Sequence, residues 1–479
     1  MQARASTPGR EGRTRDGADD PRRIVAAVLS AIFPGLGQAL NRDGRGFAAF
    51  ALPVAALLLI GLLIALAYQT RLVASILKPD AVVALLFLDV LFLGWRLIAI
   101  AHAFLAGGRA RIGGVGAVGL LLVVGLAAAP QAYAGFLGLR VYETALRICP
   151  TCAGMADASG SAPARLLFAG DDPGTTTGPT PAPDGRINVL LMGVDNRTST
   201  QGGRTDTLIV VSVDPVGRTA SMLSIPRDLV DVPLPGGGIY RGKINGLLLH
   251  VNTHPDDPDL AGAGRSGTRA LQDAVGELLG IEIHYYAKVD LSGFVKVIDA
   301  VGGVDVEVKR PLDDPKYREF GIDGFHVEAG LQHLDGQHAL AYARVRRPVG
   351  ETDFTRAARQ QEVLVALKNA ALEGGALELL GKLPGLLDAI GDAVRTDLPP
   401  SRYNDLAFLA EGIDGTDVVN VVMKFPLVHP SEGGDPRGAV QIPDGEAIRA
   451  MAALLFPAPG TLPTPWPTPK PTATPSSNP

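Results

Sequence analysis

Apolar and polar positions are distributed unevenly along the chain. Residues 24–139 hold uninterrupted apolar runs of membrane-spanning length, whereas residues 187–457 alternate short apolar runs with polar, Gly-rich connections. Phe47 to Tyr68 carries no charge over 22 residues, and at about 1.5 Å per residue such a helix crosses a hydrocarbon core of about 30 Å. Ala81 to Phe104, despite Asp89, Arg96 and His102, and Gly113 to Leu139 predict two further spans. Ile24 to Leu40 is short and broken by Pro34-Gly35-Leu36-Gly37-Gln38, which predicts a re-entrant or interfacial hairpin. Three crossings put Arg22, Arg23, Arg42, Arg45, Arg109 and Arg111 on the cytoplasmic side against Arg71 and Lys78 outside. That matches the bias of cytoplasmic loops towards Lys and Arg, and leaves the C-terminal part extracytoplasmic. A crossing by Ile24 to Leu40 would reverse this topology. Asp89 and Arg96 lie about two helical turns apart, on one face, either as an intramembrane ionisable pair or as polar contacts between helices.

Beyond the membrane region, INVLLMGVD (Ile187 to Asp195) predicts a buried strand. TLIVVSVD and TASMLSIPRD predict two more, joined by the turn Pro215-Val216-Gly217. Thr268 to Leu279 and Leu291 to Val301 read as helices, Ile283 to Val289 and Val304 to Val308 as strands, Phe354 to Glu373 as a long helix and Asp417 to Phe425 as a late strand. Helices and strands interleave without repeats, so the fold expected is α/β, an αβα sandwich with a central mixed sheet, preceded by an α-helical membrane region. The expected domain limits are a disordered cytoplasmic tail 1–23, a membrane region 24–139, a linker 140–186, an α/β domain 187–457 and a Pro/Thr-rich disordered tail 458–479.

Composition sharpens this in three places. A length of 479 residues with 47% apolar content excludes a single ordinary soluble domain. The formal net charge of −5 gives no reason to expect a nucleic-acid partner. The only cysteines, Cys149 and Cys152, form CPTC within the linker; a zinc site there would need a second ligand pair from a dimer, so a local disulfide is favoured.

Candidate chemistry concentrates in MGVDNRTSTQGGRTDT (Met192 to Thr207) and YARVRRPVGETDFTRAARQQ (Tyr342 to Gln361). Both set fixed positive charges beside acids in apolar, Gly-rich surroundings, and uncompensated burial of arginine is costly, so an anion should sit between them. Asp195 closes a strand and Asp206 opens the next, so the two carboxylates can converge as Mg²⁺ ligands; alternatively Asp195 caps a turn and Asp206 pairs with Arg204. Arg227, in SIPRD, has Asp228 as its obvious structural partner. Arg344 and Arg346 share a direction only if Tyr342 to Arg347 is extended. Asp353 serves either as the N-cap of the following helix or as a general base. Arg356 and Gln360 share a face at that helix's N-terminus, where the dipole favours an anion. Arg359 is free to face solvent.

The order of these motifs, GVD and GRTDT, then SIPRD and KIN (Lys243 to Asn245), then YYAKVDLSGFVKVIDAVGGVDVEV, then LDGQHALAYARVR and TDFTRAARQQ, resembles the LytR-CpsA-Psr family of bacterial cell-wall enzymes. VRTDL (Val394 to Leu398), with its following helix, resembles that family's C-terminal part. The resemblance implies a membrane-anchored phosphotransferase that moves a glycopolymer from a polyprenyl-pyrophosphate carrier to peptidoglycan. By matched positions, Asp195 and Asp206 would hold Mg²⁺. Arg204, Arg227, Arg344, Arg346 and Arg356, with Gln360, would grip the pyrophosphate; Arg227, Arg344, Arg346 and Asp353 would act in catalysis. A pyrophosphohydrolase releasing polyprenyl phosphate and a non-catalytic membrane regulator or scaffold remain as alternatives.

Overall fold

A computed structural model of the chain describes residues 21–76, 79–106, 112–148, 185–195, 203–257, 260, 266–373, 375–399, 402, 413, 418–431 and 434–466. They form two compact units, one within residues 1–141 and the other comprising 73–79 and 142–479. The first contains α1 (Pro21–Ile32), α2 (Leu36–Leu40), α3 (Gly44–Ile76), α4 (Pro79–Leu105) and most of α5 (Gly114–Ile148). Among the described residues three helices are long and apolar enough to cross a membrane, within Gly44–Leu63, Ala81–Leu105 and Gly114–Ile148.

The predicted hairpin is α1 and α2, which reverse at Gly35, held at φ +109°; a Cβ there would lie 2.7 Å from the Cβ of Ala51. A helix end in apolar surroundings leaves carbonyls that must find donors. Arg96 supplies them: its Nε donates to Ala31 O at 2.8 Å, and Nη1 to Ala127 O at 3.3 Å and Gln131 Oε1 at 3.0 Å. Gln38, fully buried, accepts from Ser30 Oγ at 2.8 Å and donates to Ala99 O at 2.8 Å. Arg96 thus binds neighbouring helices, the structural alternative to a pair with Asp89. Helix α5 extends through Ile148, so residues 140–148 are helical rather than linker. CPTC falls outside the described residues.

The second unit is built on a six-stranded mixed sheet. Its strands are β1 (Ile187–Asp195), β2 (Arg204–Asp214), β3 (Thr219–Ser224), β6 (Tyr285–Asp290), β11 (Val394–Thr396) and β12 (Val418–Val422), in the order β11-β6-β1-β2-β3-β12. Strand β1 runs parallel to β6 and antiparallel to β2, and β3 runs parallel to β12. Alternation along β1 sends Leu190, Met192 and Val194 into one core, with α6 (Ile244–Thr253), α7 (Gly267–Leu279) and α12 (Gly445–Leu455). On the opposite face Leu191 and Gly193 look towards α8 (Leu291–Val301) and α10 (Asp353–Leu372). That arrangement is the αβα sandwich expected from the interleaved pattern.

A second core joins α9 (Gly336–Arg344) and α10 to two small antiparallel pairs, β7 (Val304–Val308) with β10 (Gly330–Leu334) and β8 (Leu312–Glu319) with β9 (Ile322–Val327). The remaining elements are β4 (Val232–Pro233), β5 (Ile239–Tyr240), α11 (Gly375–Ala393), β13 (Val428–Pro430) and β14 (Gln441–Pro443). Residues 458–466, expected to be disordered, are instead anchored: Gly460 N donates to Asp214 Oδ2 at 2.7 Å, Thr464 N donates to Leu454 O at 2.9 Å, and Trp466 packs on the first core.

Candidate active site

Two strand ends begin the site. In the β1/β2 ladder Gly193 pairs with Thr207 and Val194 with Thr205, so Asp206 is the extra residue of a β-bulge. Bulges turn a side chain out of the regular alternation and recur beside active sites. Glycine fits at 193 because a Cβ there would lie 2.9 Å from the Cβ of Thr207. Asp206 is thereby aimed at two arginines: Arg227 Nη1 lies 2.8 Å from Oδ1 and Arg344 Nη1 3.7 Å from Oδ2. Asp195, the last residue of β1, lies 3.7 Å from Nη2 of the same Arg344.

Arg227 follows β3, its carbonyl accepting from Asn245 N at 3.2 Å. Asp228 lies 3.3 Å from Arg227 Nε, but is also held by Lys243 Nζ at 2.7 Å, which gives the KIN segment its place beneath the site. Burial acts downward on Arg227, yet the carboxylates of Asp206, Asp228 and Asp353 together outweigh it and leave the guanidinium above its ordinary value.

Arg344 and Arg346 converge by a route that differs from the expectation. The backbone is helical through Arg344 and leaves the helix at Val345, φ −56° and ψ 140°. Breaking helical periodicity between the two arginines lets both line one cleft without an extended segment.

Asp353 is not the N-cap of α10. Thr352 is, its hydroxyl accepting from Thr355 N in a capping box. Asp353 stands at the next position, with its carboxylate 2.7 Å from Arg356 Nη1 and 3.7 Å from Arg346 Nε. Gln360, one turn beyond Arg356, donates to Ala343 O at 3.3 Å.

Arg359 is buried rather than turned to solvent. Its Nη2 bonds Glu351 Oε2 at 2.8 Å and Val345 O at 2.6 Å, its Nη1 donates to Tyr342 O, and the guanidinium lies over the Tyr342 ring. It therefore fixes the chain that leaves α9. Arg204 faces Asp195 in register but is exposed and does not line the cleft. The loop 196–202 between them lies outside the described residues.

The cleft encloses about 600 Å³. Its lining joins the apolar Leu191, Ile209, Val289, Phe294, Leu340 and Leu364 to seven basic and four acidic residues. Four of those charged residues come from the β8–β9 hairpin: Lys316, Arg318, Asp314 and Glu319. Nothing in the sequence singled out that hairpin, because LDDPKYREFGIDGF (Leu312 to Phe325) is polar, holds a proline and shows no clean alternation.

Electrostatically the cation cluster is under-compensated. Burial and then the neighbouring Arg346 push Arg356 down to about 10. Arg346 is lowered by burial and then by Arg227. Two crowded guanidinium groups in a half-apolar cleft form a ready anion site. Asp195 and Asp206, both 3.7 Å from one guanidinium, are the residues able to hold a divalent cation. Mg²⁺ is commonly held by one or two carboxylates together with phosphate oxygens and water, so this pair fits, provided substrate supplies the rest. Among the described residues no cluster of three or more His, Cys, Asp or Glu side chains could hold a metal alone.

Comparison with known proteins places this arrangement in a family. The LytR_cpsA_psr family model matches residues 169–426. Cell wall biosynthesis protein LcpA of Corynebacterium glutamicum is 33% identical over 242 residues, covering 45% of this chain and 46% of LcpA. The Halalkalibacterium halodurans polyisoprenyl-teichoic acid–peptidoglycan teichoic acid transferase TagU is 34% identical over 258 residues, covering 51% of this chain and 75% of that protein. This chain thus spans about half the length of the first relative and three quarters of the second. The crystal structure of TagV from B. subtilis is 28% identical, with a TM-score of 0.44, covering 57% of this chain and 97% of that one. Since the family model covers more than half of its length, the chain is a member of the LytR-CpsA-Psr family.

Proposed function

We propose that this protein is a Mg²⁺-dependent phosphotransferase that moves a glycopolymer from a polyprenyl-pyrophosphate carrier to peptidoglycan, as a multi-pass membrane protein with its catalytic unit outside the cytoplasmic membrane. One observation carries the reading: Arg227, Arg344, Arg346 and Arg356, from three separate segments, line a cleft together with apolar side chains such as Leu191, Val289 and Phe294. A pyrophosphate diester brings about two negative charges, in keeping with a basic excess of three among the lining residues. Those apolar side chains suit the first isoprene units of a lipid tail. The three apolar helices on the same polypeptide tether it to the bilayer in which such a carrier lies.

In phosphoryl transfer the protein mainly positions groups and neutralises charge. Arg227, Arg344, Arg346 and Arg356 would orient the phosphates through charge-assisted bonds, with Gln360 at their edge. Asp195 and Asp206 would hold Mg²⁺, which supplies charge neutralisation on the phosphate oxygens. Asp353, half-exposed beside Arg356, would take the proton from the acceptor hydroxyl as its oxygen bonds to phosphorus. The bond from phosphorus to the bridging oxygen breaks, and polyprenyl phosphate leaves with that oxygen.

The test is incubation of the purified chain with Mg²⁺, a lipid-pyrophosphoryl glycan and peptidoglycan fragments. Glycan covalently linked to peptidoglycan, with release of polyprenyl phosphate, is the expected result. Release of glycan phosphate alone would indicate hydrolysis, and binding without turnover a scaffold; either overturns the transferase reading.

A further inference from the structure

We propose that Glu319 is a positioning residue for the transfer, holding the Arg344 guanidinium so that its end faces the phosphates beside Asp195 and Asp206. This inference rests on the function proposed above and assigns a role to a residue of the β8–β9 hairpin. Glu319 Oε2 accepts from Arg344 Nε at 2.9 Å, and Oε1 lies 3.5 Å from Nη2, so one carboxylate spans the side edge of the guanidinium. The other edge, between Nη1 and Nη2, points at Asp206 and Asp195, each 3.7 Å away. Those separations exceed hydrogen-bond length. They leave the guanidinium end short of both carboxylates, where a pair of phosphate oxygens can meet it.

The side-edge clamp opposes rotation of Arg344 into direct hydrogen bonds with Asp195 or Asp206. That collapse would consume the phosphate-binding edge and a proposed metal ligand together. Glu319 is itself firmly placed. It ends β8 next to a two-residue turn, Phe320-Gly321, in which both residues have positive φ, 50° and 83°. A bulky residue in that region is strained, and such strain persists where the surroundings over-determine the backbone. The ladder also shifts register between Asp314 and Arg318, a second irregularity beside the cleft. Arg347 fastens the hairpin's base, with Nη1 3.0 Å from Lys316 O and 3.7 Å from Asp314 Oδ1.

A competing role has the opposite sign. If Glu319 merely shields Arg344, its removal raises the positive potential and tightens anion binding. The experiment is a double-mutant cycle on the full chain in detergent, measuring the Kd of geranylgeranyl pyrophosphate with Mg²⁺ by calorimetry, alongside the Mg²⁺ concentration for half-maximal transfer. Glu319→Ala is expected to weaken binding about tenfold and to raise the Mg²⁺ requirement, with no further loss in an Arg344→Ala background, and Glu319→Gln, which keeps an acceptor for Nε, to recover most of the affinity. Unchanged or tighter binding by Glu319→Ala, or losses that add to those of Arg344→Ala, overturns the inference. A thermal midpoint equal to wild type establishes that each variant is folded; should Glu319→Ala fail this, Glu319→Leu, which also removes the acceptor for Nε, carries the same comparison against Glu319→Leu with Arg344→Ala. Failure of the wild-type chain to bind the pyrophosphate would instead count against the proposed function.

Discussion

Partly or fully buried arginines occur in both units, and their surroundings differ in kind. In the membrane unit Arg96 spends its donors on neutral acceptors, Ala31 O, Ala127 O and Gln131 Oε1. In the cleft the part-exposed Arg346 and the buried Arg356 feel the charge of neighbouring arginines and share the carboxylate of Asp353. An arginine whose donors are met by backbone oxygens is part of the scaffold, whereas one lowered by burial and then by like charges is set up for an anion that arrives later. The same contrast recurs over three residues of α10, between Arg356 and Arg359, the latter bonded to Glu351, Val345 O and Tyr342 O.

The largest expected effect breaks the cleft side of that contrast. Arg344→Ala or Arg227→Ala should cut transfer about a thousandfold, the scale seen when a charged or oxyanion-binding donor is removed, while the thermal midpoint stays near wild type. Wild-type turnover in both variants would remove the arginine clamp. Next, Arg359→Ala should cost about 3 kcal/mol of stability, lowering the midpoint by roughly 6–12 °C, since it disrupts a buried ion pair and two carbonyl contacts. Arg356→Ala should stay within about 1 kcal/mol of wild type, or exceed it, yet lose activity. Equal losses of stability from the two would show that the scaffold and anion-binding classes are not distinct.

A smaller effect comes from Asp397, whose carboxyl accepts from Tyr286 N at 2.7 Å and is pushed up by burial to about 6. A carboxyl raised in the folded state contributes stability at low pH, and that contribution is lost as pH rises through its folded value. Asp397→Asn should therefore stabilise the unit by about 2 kcal/mol at pH 8, with the gain shrinking towards pH 5. A constant difference across that range in thermal melts would contradict the assignment. Smallest of all, Arg96→Leu should leave the specific transfer rate of the folded protein within about twofold of wild type, a change well under 1 kcal/mol in barrier. A larger fall would make Arg96 more than scaffold.

Much of the fold was legible because its elements are apolar runs bounded by turns: the strands Ile187 to Asp195 and Val304 to Val308 and the helix Leu291 to Val301 match observed elements residue for residue. Motif order pointed to Arg227, Arg344, Arg346, Arg356, Asp195 and Asp206, and the structure brings their side chains together. What stayed hidden depends on three-dimensional detail. The helix end between Arg344 and Arg346 depends on carbonyls that Arg359 holds, contacts across 17 and 14 residues of chain. Thr352 takes the cap from Asp353 because Thr355 returns the bond, a reciprocal pairing that a preference for Asp at caps does not reveal. Arg204 sits in the motif yet stays exposed, and Glu319 enters from a polar hairpin with no periodic signal.

The most direct test is a crystal structure of the chain with geranylgeranyl pyrophosphate and Mg²⁺. The phosphates should lie within hydrogen-bond distance of Arg227, Arg344, Arg346 and Arg356, the metal on Asp195 and Asp206, and the tail against Leu191, Val289 and Phe294. Phosphates bound elsewhere on the surface, with these four arginines untouched, would contradict the account.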